Sequence, residues 1–370
     1  MSSGGTIPYR LPEVNFQLSN PEKSISKNVI MSILKSLGLC IPPIRRLYDA
    51  RNELAAALQV ERGRAQAARS SGSVQGSPFF HYFSVFDPAE LIMRYAAPNL
   101  VGRPGLTTNF LGVLTDPKVY PASLMPLIGK VESAPIPANW HADMAEWGAA
   151  LRAVDLAVGR CTIVELGCGW GCWLNNMGVA AKRRGLDVRL VGIEGDPDHA
   201  SFAKETTALN GFSEKQVSIH HGVAAANSGV ALFPRQEQGG ASWGLEPIFG
   251  ATEEQRVAAV AAGTHDELPM VALDELIASL NRVDLLHVDI QGGEADLIAG
   301  SLPALGVKVA YILVGTHSRQ IEGRIMESLF NAGWILEIER PAILVSGSSG
   351  PTVSVDGVQG WRNPRLLPTD

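Results

Sequence analysis

The stretch Val164–Gly171 reads VELGCGWG, and it decides how the rest of the chain is interpreted. A β-branched run, Thr162–Leu166, leads directly into it, and a helical pattern follows over Gly171–Arg184. A strand that ends in a glycine-rich turn and opens a helix places backbone N–H groups where a ligand can approach closely. The stretch therefore predicts a ligand-binding loop at the end of a buried strand.

Outward from this stretch, strands alternate with helices. Strands are predicted at Thr162–Leu166, Val188–Glu194, Val217–His221, Val283–Asp289 and Val309–Thr316, with helices at 143–158, 171–184, 197–210, 294–305 and 321–332. Trp334–Glu339 and Ala342–Ser346 are predicted to close the sheet as an antiparallel pair. The alternation predicts an α/β fold with a doubly wound, mostly parallel, seven-stranded Rossmann-like sheet, whose ligands lie beyond the carboxyl ends of the strands.

Two details of the glycine loop indicate which ligand it binds. The dinucleotide pattern G-x-G-x-x-G requires glycine at Cys172, whereas the third glycine here is Gly171. Glu165 precedes the loop, where a carboxylate repels a pyrophosphate and attracts a cationic aminoacyl-sulfonium group. We therefore expect S-adenosylmethionine (SAM) to bind through Glu165, Leu166, Gly167, Cys168, Gly169 and Gly171.

Two further acids end strands of the predicted sheet. Glu194, followed by Gly195, ends the second strand, where a carboxylate can accept hydrogen bonds from both ribose hydroxyls. Asp289 ends the fourth strand and is expected beside the reactive end of the ligand, or as a turn cap before Gly292–Gly293. Trp140–Glu146 precedes the first strand, where a helix is expected to cover the methionine end of SAM.

The fourth strand also carries a resemblance to a known family. Asp284–Glu294 reads DLLHVDIQGGE and resembles the segment D-L-x-K-I-D-V-E-G-x-E of FkbM-family methyltransferases. His221–Phe233 is similar to that family's stretch after strand three, and Ile312–His317 to the run that closes on a histidine. The resemblance covers roughly residues 160–345. It implies a class I methyltransferase fold and SAM-dependent O-methylation, commonly of a hydroxyl on a sugar or polyketide.

The resemblance also bears on individual residues. It implies that Gly222, Val223 and Ala224 lie by the adenine of the cofactor. Two positions depart from the family pattern, because His287 stands where the family usually has Lys and Gln291 where it usually has Glu. A family role for those two side chains is therefore not carried over.

Methyl transfer to a hydroxyl needs a group that accepts the hydroxyl proton, and histidine is suited to this at neutral pH. His317, at the end of strand five, is the preferred base, with Asp289 positioning the acceptor or the sulfonium. His287 lies two residues before Asp289 and is the next candidate. His221 is expected near the adenine in a structural role.

No metal site is expected from the sequence. Magnesium-dependent methyltransferases of the catechol type need a cluster of carboxylates and amides around strand four. Only Asp289 and Gln291 are in range by sequence.

Composition limits the classes of protein and partner. The chain has 370 residues, is 46% hydrophobic and 18% charged, and carries a net charge of −6. This charge argues against nucleic-acid binding, which needs a basic face. No apolar run is long enough to cross a bilayer and no signal peptide is evident, so a cytoplasmic protein with a small-molecule or glycan substrate is expected.

Domain organisation is predicted from local patterns. Residues 1–76 form an N-terminal helical extension, with an irregular arm, coiled-coil-like helices and a Ser/Gly linker. Residues 77–140 form a small pre-domain or lid, 141–350 the SAM-dependent domain and 351–370 a C-terminal tail. The heptad-spaced N-terminal helices predict a homo-oligomer, and the net charge of +5 over residues 1–70 is consistent with peripheral contact to an anionic glycolipid.

Three functions are compatible with the sequence. The leading one is an O-methyltransferase that acts on a sugar, a glycan or a related small molecule. A catalytically silent SAM-binding module in an assembly is the second. The third is a dinucleotide-dependent oxidoreductase, which Glu165 and the position of Gly171 disfavour.

Overall fold

The computed structural model describes residues 83–119, 122–236, 242, 244–347 and 350–368. The N-terminal extension predicted over residues 1–76 lies outside them, so self-association and glycolipid contact through it stay predictions. Among the helices that are described, none has the length and apolar character needed to cross a membrane.

An eight-stranded sheet organises the described part of the chain. In spatial order its strands are β6 (Val217–His221), β5 (Asp187–Glu194), β4 (Arg160–Leu166), β10 (Leu285–Val288), β11 (Tyr311–Thr316), β15 (Gly357–Arg362), β12 (Ile335–Arg340) and β1 (Phe83–Ser84). The first five are parallel to their neighbours, and β15 runs antiparallel to both β11 and β12. The predicted doubly wound, mostly parallel sheet is confirmed, and β1 extends it beyond seven strands.

Helices cover both faces of this sheet. The α-helices among the described residues are α1 (Pro88–Tyr95), α2 (Met144–Leu156), α3 (Cys172–Arg183), α4 (Pro197–Leu209), α5 (Glu253–Ala261), α6 (Leu273–Ala278), α7 (Glu294–Lys308) and α8 (Arg319–Asn331), and of these α5 has no buried residue and does not cover the sheet. Successive residues of the strands point to opposite faces. Ile163 of β4 accordingly packs in one buried cluster with α2 and α3, whereas Val164 packs in a second with α6, α7 and α8.

Helix starts follow the capping residues in the sequence. The side chain of Asp143 accepts hydrogen bonds from two N–H groups at the start of α2, and Asp196 does the same at the start of α4. An acid at this position satisfies N–H groups that have no partner within the helix. The helices predicted from Asp143 and Pro197 therefore begin where expected.

The C-terminal part of the chain differs from the prediction. Ala342–Ser346 does not close the sheet, because β13 (Ile343–Gly347) pairs instead with β14 (Gly350–Val355) in a separate hairpin. The predicted tail, 351–370, contributes β15, which lies between β11 and β12.

The sequence of β15, GVQGWR, lacks the apolar run of a buried strand because its polar side chains find partners across the fold. Gln359 donates to the carbonyl oxygen of Glu322 at 3.3 Å, and Arg362 donates to Glu337 at 2.7 Å. Buried polar groups are tolerated when they are paired in this way. The partners lie far away in sequence or on a strand whose pairing the sequence does not reveal.

Residues 83–119 and 122–140, which were predicted as a pre-domain or lid, share the main core. Ile92 of α1 and Leu111 belong to the same buried cluster as Leu151 of α2 and Leu174 of α3. β2 (Thr107–Thr108) and β3 (Leu114–Thr115) form a small ladder above it. This region is therefore packed on the helical layer that covers one face of the sheet.

The segment between the third and fourth strands of the parallel set forms a second, smaller sheet. Its order is β7 (Val223–Ala225), β9 (His265–Ala272) and β8 (Gly229–Pro234). Residues 234–273 form an insertion for which the sequence predicted no strand or helix. The structure places α5 and β9 within it, and β9 joins the ladder that continues from β7.

Candidate functional site

A cleft of about 900 Å³, including its open mouth, lies at the carboxyl ends of β4, β5 and β10. Ligands of doubly wound sheets bind at this edge. The residues that line it are His141, Glu165, Gly167, Cys168, Gly169, Trp170, Cys172, Trp173, Ile193, Glu194, Gly195, Asp196, His199, Gly222, Val223, Ala224, Phe233, Ser242, Leu245, Pro247, His287, Asp289, Ile290 and Gln291. Among these described lining residues there are four carboxylates and neither lysine nor arginine.

The glycine loop forms the floor of the cleft. Gly167 and Cys168 donate backbone hydrogen bonds to the carbonyl of Ile193 at 3.0 and 2.9 Å. Gly167 has φ +70°, and a Cβ atom there would lie 2.1 Å from the carbonyl oxygen of Asp289. Any larger residue would push β4 and β10 apart, so this glycine is required by the fold. At Gly169, φ is +51° and a Cβ would meet nothing within 4 Å, because the backbone borders open space.

Glu165 is held by the helix that follows the loop. Its carboxylate accepts hydrogen bonds from the N–H groups of Trp173 and Leu174 at 3.1 and 2.9 Å. Burial raises the pKa of Glu165 to about 7, and the nearby His287 and these N–H groups only partly offset that rise. Glu165 lines the cleft as predicted, and its carboxylate also caps α3.

Glu194 is also held by backbone donors. It accepts hydrogen bonds from Gly169 N at 2.7 Å and Asp196 N at 2.8 Å, one on each carboxylate oxygen. Burial raises its pKa above the ordinary value for a glutamate. Each oxygen has a second lone pair, so the carboxylate can still accept hydrogen bonds from a ligand.

The wall opposite the glycine loop is apolar. Gly222, Val223 and Ala224 line it together with Phe233, and their place beside the adenine of the cofactor stays a prediction. The Phe233 ring covers Gly195 so closely that a Cβ there would lie 2.4 Å from it. His221 lies outside the lining and its Nε2 is 2.9 Å from the carbonyl oxygen of Gly195, which fits the structural role expected for it.

Two residues predicted to bind the cofactor do not line the cleft. Leu166 is fully buried and packs in the cluster beneath α7, because its side chain points to the face of β4 opposite Glu165. Gly171 is the residue before α3, with φ +79°, and a Cβ there would meet Asn175 and Ala203. These two positions shape the strand and the turn, whereas Gly167, Cys168 and Gly169 border the cleft.

His287 lies inside the cleft among acids. Its Nε2 is 3.8 Å from Glu146 and its Nδ1 is 3.9 Å from Glu165, and neither ring nitrogen has a hydrogen-bond partner among the described residues. Burial lowers the pKa of this imidazole, but Glu146, Glu165 and Asp289 outweigh it and raise the pKa above the usual value. A buried polar side chain without partners points to a group that a ligand satisfies.

His317 does not fit the prediction that it is a free general base. Its Nδ1 lies 2.9 Å from Glu294 and its Nε2 lies 3.2 Å from Asp289, so both ring nitrogens are engaged. Burial lowers its pKa, but these two carboxylates raise it to about 10. Its ring also lies outside the cleft lining. With the chain in this state the imidazole is protonated at neutral pH and has no lone pair to offer a hydroxyl.

Asp289 lies between His317 and the cleft. Burial raises its pKa, but the hydrogen bond and charge of His317 outweigh burial and hold the pKa below the ordinary value. Gln291 Nε2 donates to Asp289 Oδ1 at 3.0 Å. Asp289 lines the cleft. The hydrogen bonds of a turn cap, which was the predicted alternative for Asp289, are accepted instead by Glu294, from Ile290 N and Gly292 N.

Sequence reasoning missed several lining residues. Trp170, Cys172 and Trp173 follow the glycine loop directly, so their proximity to the predicted site could have indicated them. Ser242, Leu245 and Pro247 come from the insertion and have no local pattern that marks them. His141 had been expected only near the methionine end, and it does line the cleft.

Two comparisons of the sequence with known proteins find methyltransferases. The family described as "Methyltransferase FkbM domain" matches residues 157–332. A protein of Jannaschia sp. (strain CCS1), named "Putative methyltransferase", is 47% identical over 273 residues, which are 74% of this chain and 98% of that protein.

Solved structures that are similar include two methyltransferases. The methyltransferase FkbM from Methylobacillus flagellatus KT shares 12% identity, with 59% of this chain and 54% of that chain covered and a TM-score of 0.35. A precorrin-6y C5,15-methyltransferase from Geobacter metallireducens GS-15 shares 8% identity, with coverages of 58% and 86% and a TM-score of 0.33.

Proposed function

Because the chain belongs to the FkbM methyltransferase family, we propose that it is a SAM-dependent O-methyltransferase that acts on a hydroxyl of a sugar, a glycan or a related small molecule. Family membership makes the chain a methyltransferase and implies a methyl donor of the SAM type. The acceptor hydroxyl and the role of each side chain are our proposals.

The observation that carries the proposal is the charge of the cleft. Glu165, Glu194 and Asp289 line it, and no lysine or arginine is found among the described lining residues. A dinucleotide would bring two phosphates into this acidic site, whereas a sulfonium and an ammonium group would be attracted. The negative charge of the lining residues therefore fits SAM better than NAD or FAD.

Different residues of the cleft would contact different parts of the cofactor. Glu194 would accept hydrogen bonds from the ribose hydroxyls, and Val223 and Ala224 would pack on the adenine. The backbone of Gly167–Gly169 would lie along the methionine part, near Glu165. When bound, SAM supplies a methyl group already activated on a sulfonium, so the protein has to position the acceptor and receive its proton.

We propose that His287, and not His317, accepts the proton of the acceptor hydroxyl. His287 faces the cleft, and neither of its ring nitrogens has a hydrogen-bond partner among the residues that the structure describes, whereas both nitrogens of His317 lie against carboxylates. Glu146 lies 3.8 Å behind His287 and would stabilise the imidazolium that forms. Asp289 would accept a hydrogen bond from the same hydroxyl and orient it.

Binding and product analysis test the proposal. Calorimetry of the full chain with SAM, its demethylated product and NADH should show binding of the first two and none of NADH. Candidate glycans incubated with methyl-labelled SAM should then gain a methyl ether, located by mass analysis. Label that appears on nitrogen or carbon, or SAM binding without transfer to any hydroxyl, would contradict O-methylation.

A further inference from the structure

We propose that Asp289 and His317 bind a divalent cation at the mouth of the cleft, with Gln291 as a further ligand and Glu294 as the residue that positions His317. The inference rests on the proposed O-methylation, because the cation would hold the acceptor hydroxyl oxygen and lower its affinity for its proton. In the proposed function, none of these four residues contacts SAM.

The spacing of the donor atoms fits a shared ion. One donor atom from each of Asp289, Glu294 and His317 lies within 4.8 Å of the others. His317 Nε2 and Asp289 Oδ1 are 3.2 Å apart. Two ligand atoms at about 2.1 Å from one cation, and separated by about 100° around it, are about 3.2 Å apart. Neither atom would have to move far to coordinate the ion together.

Glu294 is positioned to orient the imidazole of His317 as a metal ligand. Its Oε1 accepts from Ile290 N at 3.1 Å and Gly292 N at 3.0 Å, and it lies 2.9 Å from His317 Nδ1. A histidine whose Nδ1–H is held by a carboxylate presents Nε2 outward, which is the usual arrangement behind a metal-bound imidazole, and the cation would displace the Nε2 proton when it binds. In this arrangement Nε2 points to Asp289.

A second observation at the same side chains also indicates a ligand. Glu294 is fully buried, and its Oε2 has no hydrogen-bond partner among the described residues. A buried carboxylate oxygen is costly to leave without a partner. The unpartnered atom belongs to the cluster itself, so a cation there would lower the cost of burying the Glu294 carboxylate.

Gln291 completes the set on the cleft side. Its amide end lies 3.0 Å from Asp289 Oδ1, and a half-turn of the amide exchanges its oxygen and nitrogen. With the oxygen turned inward, the set is one imidazole nitrogen, one carboxylate and one amide oxygen. Asp289 and Gln291 both line the cleft, so the remaining positions of the ion would face water or substrate. Mixed nitrogen and oxygen donors suit Mn²⁺ and Zn²⁺ better than Ca²⁺.

Manganese is the probe of choice because its free form is visible by electron paramagnetic resonance. Mn²⁺ titrated into the full chain, after treatment with a chelator, should show one saturable site per chain, confirmed by calorimetry. H317A and D289N should lose this binding by more than tenfold. E294Q keeps the shape but weakens the orienting contact, so it should lose affinity by about 10–100-fold.

Matched measurements keep the test decisive. H265A removes a histidine on β9 outside the cleft lining and should bind Mn²⁺ like the parent. Each variant should retain the circular dichroism spectrum and the thermal transition of the parent. Should H317A fail to fold, Q291A and E294Q still report on the same site.

Two outcomes separate this proposal from the proposed function. If no saturable binding of Mn²⁺, Zn²⁺ or Mg²⁺ occurs at millimolar concentration while chelator-treated protein still methylates a hydroxyl, the cation site is overturned and O-methylation stands. If Mn²⁺ binds with the expected variant pattern but no hydroxyl is methylated, the site is supported and the proposed function is overturned. Binding that D289N and H317A do not change would overturn the assignment of the ligands.

Discussion

The cleft has a donor end, where the methyl donor would bind, and an acceptor end around His287 and Asp289, where the substrate would bind. These two ends are built in different ways. At the donor end, Glu165, Glu194 and the glycine loop lie within 30 positions of one another, and both carboxylates are fixed by backbone N–H groups. At the acceptor end, side chains are fixed by other side chains, as His317 is between Asp289 and Glu294.

This difference separates what the fold dictates from what evolution can change. A carboxylate held by backbone donors stays in place as long as strand, loop and helix form. A cluster of side chains from α2, β10, α7 and β11 can be altered by one substitution without changing the strands that carry it. We therefore expect the donor end to be common to the family and the acceptor end to set the substrate.

The largest expected effect is at the acceptor end. His287→Ala removes the proposed proton acceptor and should reduce kcat by about 10²–10⁴-fold. SAM affinity should change little, because the backbone contacts of the donor end remain. His220→Ala, on β6 outside the cleft lining, serves as the control. If His287→Ala keeps the parent's single-turnover rate of methyl transfer, the proton is taken elsewhere.

The next effect is at the donor end. Glu194→Ala removes a charged acceptor for two ribose hydroxyls and should weaken SAM binding by about 2–4 kcal/mol, or roughly 30- to 700-fold. Calorimetry measures this directly, and Glu214→Ala, at an exposed position, should bind SAM like the parent. Unchanged SAM affinity in Glu194→Ala would show that the ribose does not contact this carboxylate.

Glu165 should make the stability of the ligand-free protein depend on pH. Its pKa is raised by burial from 4.5 to about 7 in the folded chain. A raised carboxyl pKa means that the stabilising contribution is present below pH 4.5 and is lost as pH rises through 7. The free energy of unfolding should therefore fall by about 3 kcal/mol over that range on account of this group.

Glu165→Gln should flatten this pH dependence, whatever its effect on the absolute stability. Denaturant titrations at several pH values from 4.5 to 8 measure the slope. The pKa of His287, on β10 in the same pocket, is also raised in the folded chain, so the slope is reduced and does not vanish. Glu214→Gln is the exposed control. An unchanged slope in Glu165→Gln would contradict the assignment of this titration to Glu165.

The smallest expected effect concerns Phe233 on β8, directly before the insertion. Phe233 packs over Gly195 and lines the proposed adenine wall. Phe233→Ala should weaken SAM binding by about 0.5–1.5 kcal/mol, because an aromatic contact is lost while the polar contacts remain. Phe249→Ala, at an exposed position within the insertion, should have no effect on SAM binding. A loss as large as that of Glu194→Ala would mean that Phe233 holds the cofactor as strongly as the Glu194 carboxylate does.

Much of the donor end could be predicted because its information is local. A β-branched run, a glycine turn and a helical pattern specify strand β4, its loop and α3 whatever surrounds them. The acids Glu165, Glu194 and Asp289 could be placed in the cleft because the carboxyl ends of parallel strands meet at one edge of the sheet. The side chain of Leu166 does not line the cleft, because the alternation of side chains along β4 points it into the core.

Sequence alone therefore determined the fold class, the family resemblance and the position of the cleft, since each depends on residues that are neighbours along the chain. Only the tertiary structure decided that β15 enters the sheet, because its polar residues are stabilised by partners such as Glu337. It also decided the state of His317, because Glu294 and Asp289 reach its ring from 23 and 28 positions away along the chain. The pKa of a side chain depends on the charges that surround it in space, and a linear sequence does not contain that distance.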